Sequence, residues 1–184
     1  NMSQLITDLI NYSRINFVGK EYKKTDLNFL LKKTINDLKD TITEKKASVT
    51  VSIDSTPQLN LIPYQIQQLF TNLISNSIKY TKKDIVPEIK IETQQSSVDE
   101  IVEIHGNPEI KYIKINVIDN GIGFEKEYSD RIFQPFYRLH NKNEYSGNGL
   151  GLTLVKKIVA NHSGFIKASS APNAGTTMSV YIPM

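Results

Sequence analysis

No cysteine occurs among the 184 residues, which excludes disulfides, thiolate metal sites and a cysteine nucleophile together. An excess of either charge is nearly lacking: 22 basic against 19 acidic side chains leave a formal net charge of +3, evenly spread and too small to mark a nucleic-acid surface. Long apolar runs are missing too. None approaches the roughly 18 residues of a membrane-spanning helix, and Asn1-Met2-Ser3-Gln4 has neither the basic nor the apolar region of a secretory signal. What remains is the composition of an ordinary soluble domain, 39% hydrophobic and 22% charged, long enough to bury about 70% of its unfolded surface around one core. The start inside an apolar pattern and the stop at Ile182-Pro183-Met184 read as a piece of a longer protein.

Met2, Leu5, Leu9 and Tyr12 recur at spacings of three and four, either the seam of a helix on a partner helix or one amphipathic turn docking on its own domain. The pattern lapses over 17–24, which reads as a linker. Thr25 or Asp26 can cap a helix whose apolar face runs from Leu27 to Ile42. Val49, Val51 and Ile53 alternate as a strand that Pro57 ends. Pro63 opens a second helix that runs to about Tyr80, with Ile66, Leu69, Phe70, Leu73 and Ile74 inward. Strands follow near 85–93 and 112–118, with the polar stretch 94–108 as a long hairpin loop or extended strand ends. A third helix is expected over about 151–162, then strands at 165–170 and 177–182 around the turn Ala171-Pro172-Asn173-Ala174-Gly175. The order predicts a two-layer α/β sandwich: a mixed sheet of about five strands with three helices on one face. The other face is either exposed or covered by something the pattern does not show.

Three constellations carry chemistry. Asn72, Asn76 and Lys79 fall at i, i+4 and i+7 of the second helix, which stacks two amides and an ammonium on a stripe beside the apolar arc. Amide oxygens suit Mg²⁺ and the ammonium suits phosphate, although asparagines at a helix rim also serve simply to bind nearby loops. Asp119-Asn120-Gly121-Ile122-Gly123-Phe124 follows a strand directly. An ionised aspartate only accepts hydrogen bonds, so it can select adenine through its amino group and disfavour guanine; Asp-Asn-Gly is equally a hairpin recipe. Gly147-Asn148-Gly149-Leu150-Gly151-Leu152 opens a helix, whose N-terminal amides attract phosphate. It is neither a Walker loop nor a Rossmann fingerprint.

In this order, and followed by Gly175-Thr176-Thr177, these segments resemble the N, G1, G2 and G3 boxes of the superfamily of gyrase, heat-shock chaperone, histidine kinase and MutL, whose ATP site is the Bergerat fold. The segment from Arg131 to Leu139 resembles the F box of sensor histidine kinases, and Leu9 to Ile15 is similar to the last turns of their dimerisation helix. The resemblance divides the chain into 1–18 (the end of a dimerisation helix), 19–25 (linker) and 26–184 (the ATP-binding catalytic domain). It implies that Asn76 with Asn72 holds Mg²⁺ and the phosphates, that Lys79 and Arg138 contact phosphate, and that Asp119 reads the adenine amino group. Tyr80 would flank the nucleotide and Thr176 would support the adenine side. Gly121, Gly123, Gly147, Gly149, Leu150 and Gly151 would line the ATP site, and 139–148 would form the lid. Asn148 departs from the threonine or serine usual in that box.

ATP-hydrolysing members of the superfamily carry a glutamate where Asn72 stands, and an amide takes no proton near neutral pH. Slow hydrolysis is expected, with the γ-phosphate of Mg-ATP passing instead to a histidine on a dimerisation domain; Asn72, Lys79 and Arg138 would be catalytic. The family's phosphoacceptor histidine is absent, because His105, His140 and His162 lie in the wrong contexts. Implied partners are that domain of the same protein, usually a homodimer, and a response-regulator receiver. The implied place is the cytoplasmic side of a cytoplasmic or inner-membrane-anchored parent, with this piece by itself a monomer. The alternatives are a nucleotide-binding pseudokinase that works as an interaction module and an anti-sigma-factor-type serine kinase.

Overall fold

The computed structural model describes residues 10, 21–53, 58–139, 144–145 and 147–184. Expectations that fall on Met2, Leu5, Leu9 and Tyr12, on Pro57, on His140 and on half of the lid lie outside these residues. Among them, no helix is long and apolar enough to cross a membrane.

The chain forms β1 (Lys23–Thr25), α1 (Leu27–Asp37), α2 (Lys39–Glu44), β2 (Ser48–Ser52), β3 (Leu59–Leu61), α3 (Pro63–Lys79), β4 (Glu88–Gln95), α4 (Val98–Glu103), β5 (Tyr112–Asp119), α5 (Gly151–Asn161), β6 (Phe165–Ser170) and β7 (Thr176–Pro183). Short 3₁₀ turns at Lys126–Tyr128 and Arg131–Phe133 precede α5. The main sheet has the expected five strands in the order β2-β4-β5-β7-β6. Only the β2–β4 pair is parallel, so the sheet is mixed.

Helix α3 is central because its apolar residues recur every three or four positions. Ile66, Leu69, Phe70, Leu73, Ile74 and Ile78 are all buried, each contributing roughly 1.5–3 kcal/mol of burial. Pro63 starts it, lacking a donor the helix would leave unpaired anyway. Tyr80 ends it, its N–H returning to the Asn76 carbonyl. Helix α3 packs on α1, α5, β4 and β5, and this places its polar stripe beside the end of β5 and the start of α5.

Four features depart from the sequence reading. The first helix breaks at Leu38 into α1 and α2, and Asp26 alone caps it, through bonds from the amides of Asn28 and Phe29; Thr25 lies in a strand. Part of the expected linker, β1, pairs antiparallel with β3 as a second, two-stranded sheet. The strand expected from Ile85 begins only at Glu88. The stretch 94–108 holds a helix, α4, capped by Ser97.

Helix α4 answers which element covers the second face of the sheet. Met178, Val180 and Ile182 of β7 join the main core, whereas Tyr181, between them, packs with Ile101 of α4 and Tyr112 on the opposite face. Glu100 of α4 is held there by Lys114 and by the Tyr181 hydroxyl at 2.9 Å.

Candidate functional site

Asp119 is the last residue of β5, opposite Thr176 of β7 on one side and Ile89 of β4 on the other. Its Oδ1 accepts from the backbone amides of Gly121 at 2.9 Å and Thr176 at 3.1 Å. Its Oδ2 accepts from the Ser77 hydroxyl on α3 at 3.0 Å. Burial pushes the carboxyl above its ordinary range, and these three bonds oppose that shift. The next residue, Asn120, serves the fold: its side chain bonds the Glu88 amide and the Val86 carbonyl and fastens the start of β4. No hairpin forms at Asp-Asn-Gly.

Glycine is required around this carboxylate. A Cβ on Gly121 would lie 2.8 Å from both Asp119 Oδ1 and the Tyr80 carbonyl oxygen. Gly175 has φ +78, and a Cβ there would come 1.9 Å from the Asp119 carbonyl oxygen. The backbone is further stitched by the Ile122 amide to the Tyr80 carbonyl (2.8 Å) and the Asn173 amide to the Ile122 carbonyl (2.7 Å).

Above Asp119 lies a cavity of about 100 Å³. Its polar wall is Asn76, Ser77, Tyr80, Asp119, Arg138 and Thr176; Leu73, Ile122, Phe124, Ile132, Leu139, Leu152 and Met178 form the apolar one. A flat, mostly apolar ring with one polar edge fits such a slot. The cavity continues into an open groove of about 1320 Å³ whose walls carry Lys45, Lys79, Lys82, Lys83 and Arg138 against Glu125 and Glu144.

Asn72 and Asn76 converge on the start of α5. Asn72 donates its amide to the Gln68 carbonyl at 2.7 Å, which directs Oδ1 away from its own helix. A Cβ on Gly151 would lie 2.9 Å from that oxygen and 3.9 Å from Asn76 Nδ2, so a side chain there would push the Asn72 amide away from this helix N-terminus and leave Asn76 in ordinary contact. Leu150 is buried just before it. Gly149 has φ +72 and presses against the Phe136 and Tyr137 backbone.

The cations hold partners of this chain. Lys79 Nζ sits 4.2 Å from the centre of the Tyr80 ring, and a Cβ on Gly147 would come within 2.7 Å of it. Arg138 donates to the carbonyls of Gly147 at 2.7 Å and Tyr145 at 2.6 Å, while the Tyr145 ring leans on Tyr80 at 5.1 Å.

Seven of the thirteen residues expected at the site line this cavity or the groove that adjoins it. Asn76, Tyr80, Asp119, Gly123, Arg138 and Thr176 line the cavity, and Lys79 lines the adjoining groove. The other six do not line it: Gly121 abuts Asp119 and Tyr80, Gly147 abuts Lys79, Gly151 abuts Asn72 and Asn76, Gly149 abuts the Phe136 and Tyr137 backbone, and Leu150 is buried. Thr176 contributes its backbone amide to Asp119, while its hydroxyl meets Ser170 Oγ at 3.1 Å.

Ser77 and Ser170 escaped the sequence reading. Ser170 bonds the Phe124 amide and the Gly175 carbonyl. Only its place six residues before Thr176, across the β6–β7 turn, hinted at it. Of the histidines, His105 follows the C-cap of α4, Ile104, with φ +60. His162 is buried at the far end of α5, its Nε2 accepting from the Ile62 amide at 3.0 Å and its Nδ1 donating to the Ile158 carbonyl at 2.8 Å. Among the described residues no group of three or more His, Cys, Asp or Glu could hold a metal.

A family described as histidine kinase-, DNA gyrase B-, and HSP90-like ATPase matches residues 62–184. Cyanobacterial phytochrome A of Nostoc sp. is 33% identical over 183 residues, which covers all of this chain and 22% of the relative. The signal transduction histidine-protein kinase ArlS of Staphylococcus aureus is 29% identical over 181 residues, 96% of this chain and 37% of its own length. Among solved structures, the mycobacterial sensor histidine kinase MprB superposes with a TM-score of 0.70 at 16% identity, covering 88% of this chain and 97% of that one. Full-length ShkA in complex with AMPPNP gives 0.75 at 19% identity, covering 97% and 35%. The chain thus spans about a fifth of the length of the phytochromes it matches.

Proposed function

Because the chain belongs to the histidine kinase-, DNA gyrase B-, and HSP90-like ATPase family, we propose that it is the ATP-binding catalytic domain of a sensor histidine kinase. The observation that carries this is the Asp119 carboxylate, held by three donors at the floor of an apolar slot, with two amides, a lysine and a helix N-terminus at its mouth. The ShkA structure that resembles it was solved with an ATP analogue.

In this reading Asp119 accepts from the exocyclic amino group of adenine, and the apolar wall excludes water from the ring. Lys79 leaves the Tyr80 ring, and Arg138 leaves the carbonyls of Tyr145 and Gly147, for the phosphates. Magnesium fits the donor set: the Asn72 amide is turned so that its hard oxygen faces α5, and Asn76 lines the cavity. When bound, the ion would neutralise phosphate charge. Asn72 cannot take a proton from water, so hydrolysis is slow and the γ-phosphate waits for a stronger nucleophile. That nucleophile is a histidine on a dimerisation domain of a longer, homodimeric parent, and a response-regulator receiver takes the phosphate next. The domain works on the cytoplasmic side.

The test combines this chain with the phosphoacceptor domain of its parent, labelled ATP and Mg²⁺. Acid-labile, alkali-stable phosphate on that domain is expected. Label on serine, or none despite intact ATP binding, contradicts the reading.

A further inference from the structure

Resting on that reading of the cavity as an adenine site, the geometry points to Ser77 as a positioning residue for base recognition: its hydroxyl sets the orientation of the Asp119 carboxylate and keeps it an acceptor. Three observations meet at this side chain. Ser77 is 5% exposed on the face of α3 turned to the end of β5, where a serine in an otherwise apolar arc needs a partner. Its hydroxyl donates to Asp119 Oδ2 at 3.0 Å. Both backbone donors go to the other oxygen, Oδ1, so Ser77 alone among the described donors fixes the oxygen left for a ligand. Each carboxylate oxygen accepts in two directions. With Ser77 on one, the second direction of Oδ2 remains for an amino group in the cavity that both residues line.

The same bond bears on the charge. Burial raises the Asp119 carboxyl, and the amides of Gly121 and Thr176 work against that together with Ser77. The titratable side chains on the elements around it are Tyr64, Lys79 and Tyr80 on α3 and its end, Glu88, Lys90 and Glu92 on β4, Tyr181 on β7, and Tyr112 and Lys114 on β5 itself, and none of them is among the groups that move it. The acceptor state of Asp119 thus depends on neutral donors. If the carboxyl takes up a proton it can donate to the guanine oxygen, and discrimination between the bases falls.

The experiment titrates the full chain with Mg-ATP and Mg-GTP from about pH 5 to about pH 8, in the wild type, Ser77→Ala, Ser77→Cys and Asp119→Asn. Ser77→Ala should weaken ATP at neutral pH about tenfold. It should move the acid limb of the affinity profile to higher pH and narrow the ATP-over-GTP preference. Ser77→Cys, with a weak donor of similar shape, should fall between. If Ser77→Ala leaves affinity unchanged, or weakens both nucleotides equally with an unshifted pH profile, Ser77 is only packing and the proposal is overturned. A destabilised Ser77→Ala still leaves Ser77→Cys to decide, since wild-type values there also overturn it. If Asp119→Asn keeps the wild-type preference for ATP, the adenine reading itself fails, whatever Ser77 does.

Discussion

The two ends of the nucleotide cavity are built on opposite plans. At the floor, Asp119 is clamped by Ser77, Gly121 and Thr176, with backbone packed so closely that a methyl group would collide at Gly121, Gly123 and Gly175. At the mouth, the cations rest on partners within the chain: Lys79 on an aromatic ring and Arg138 on two carbonyls. Under the proposed function, recognition of the base therefore costs little reorganisation, because the acceptor and the donors that hold it are already in place. Under the same reading, binding of phosphate requires an exchange of partners. An internal contact must be given up for each one gained, so the mouth contributes less net affinity than its charges imply.

Substitutions can break this contrast. The largest effect is expected at the floor: Gly175→Ala sets a Cβ 1.9 Å from a backbone oxygen at φ +78 and should destabilise the domain by about 3 kcal/mol or more. Gly147→Ala meets only the flexible tip of Lys79 at φ +131 and should cost about 1–2 kcal/mol. Thermal unfolding compares the two, and equal losses would erase the distinction.

Next in size, Asp119→Asn should weaken ATP about 100-fold without loss of fold. The carboxyl is held above its ordinary value of 3.8, so the folded state binds the proton more tightly than the unfolded chain. Ionisation therefore lowers stability as pH rises through that window. The amide variant should be at least as stable as wild type at neutral pH, and the difference should vanish in acid; urea unfolding at several pH values reads this out.

The far end of α3 offers a control away from the cavity. His162 is kept neutral by burial, below its ordinary 6.5, and Ile62 donates to its Nε2. Stability from this pair is complete above that value and falls as pH drops through the lowered one. His162→Ala should cost about 2 kcal/mol and flatten that acid dependence, again by urea unfolding. The smallest effect belongs to the mouth. Lys79→Ala should weaken ATP about tenfold, ADP less and adenosine not at all, by calorimetry.

Much of this was legible in the sequence, for local reasons. Helix α3 announces itself through Pro63 and an apolar repeat over 17 residues, and its stripe follows from helical spacing. Helix α4 is only six residues long, too short for a period to emerge from a polar background. The break at Leu38 has no proline or glycine to mark it. Strands β1 and β3 are three residues each, and their pairing joins segments more than thirty positions apart. Ser77 was invisible for a related reason: its partner lies 42 residues away, and a serine beside Ile78 carries no signal until β5 is placed against it. The resting partners of Lys79 and Arg138 equally depend on where Tyr80, Tyr145 and Gly147 come to lie.

Amide chemical shifts of the labelled protein, followed during separate titrations with adenosine and with Mg-ATP, address both ends of the cavity at once. Adenosine should move the signals of Ser77, Gly121 and Thr176 and leave Gly147 and the Arg138 side chain in place, while Mg-ATP should move both sets. Adenosine that leaves the floor untouched, or that shifts the mouth as far as Mg-ATP does, would contradict a base site made ready in advance beside a phosphate site that must exchange its partners.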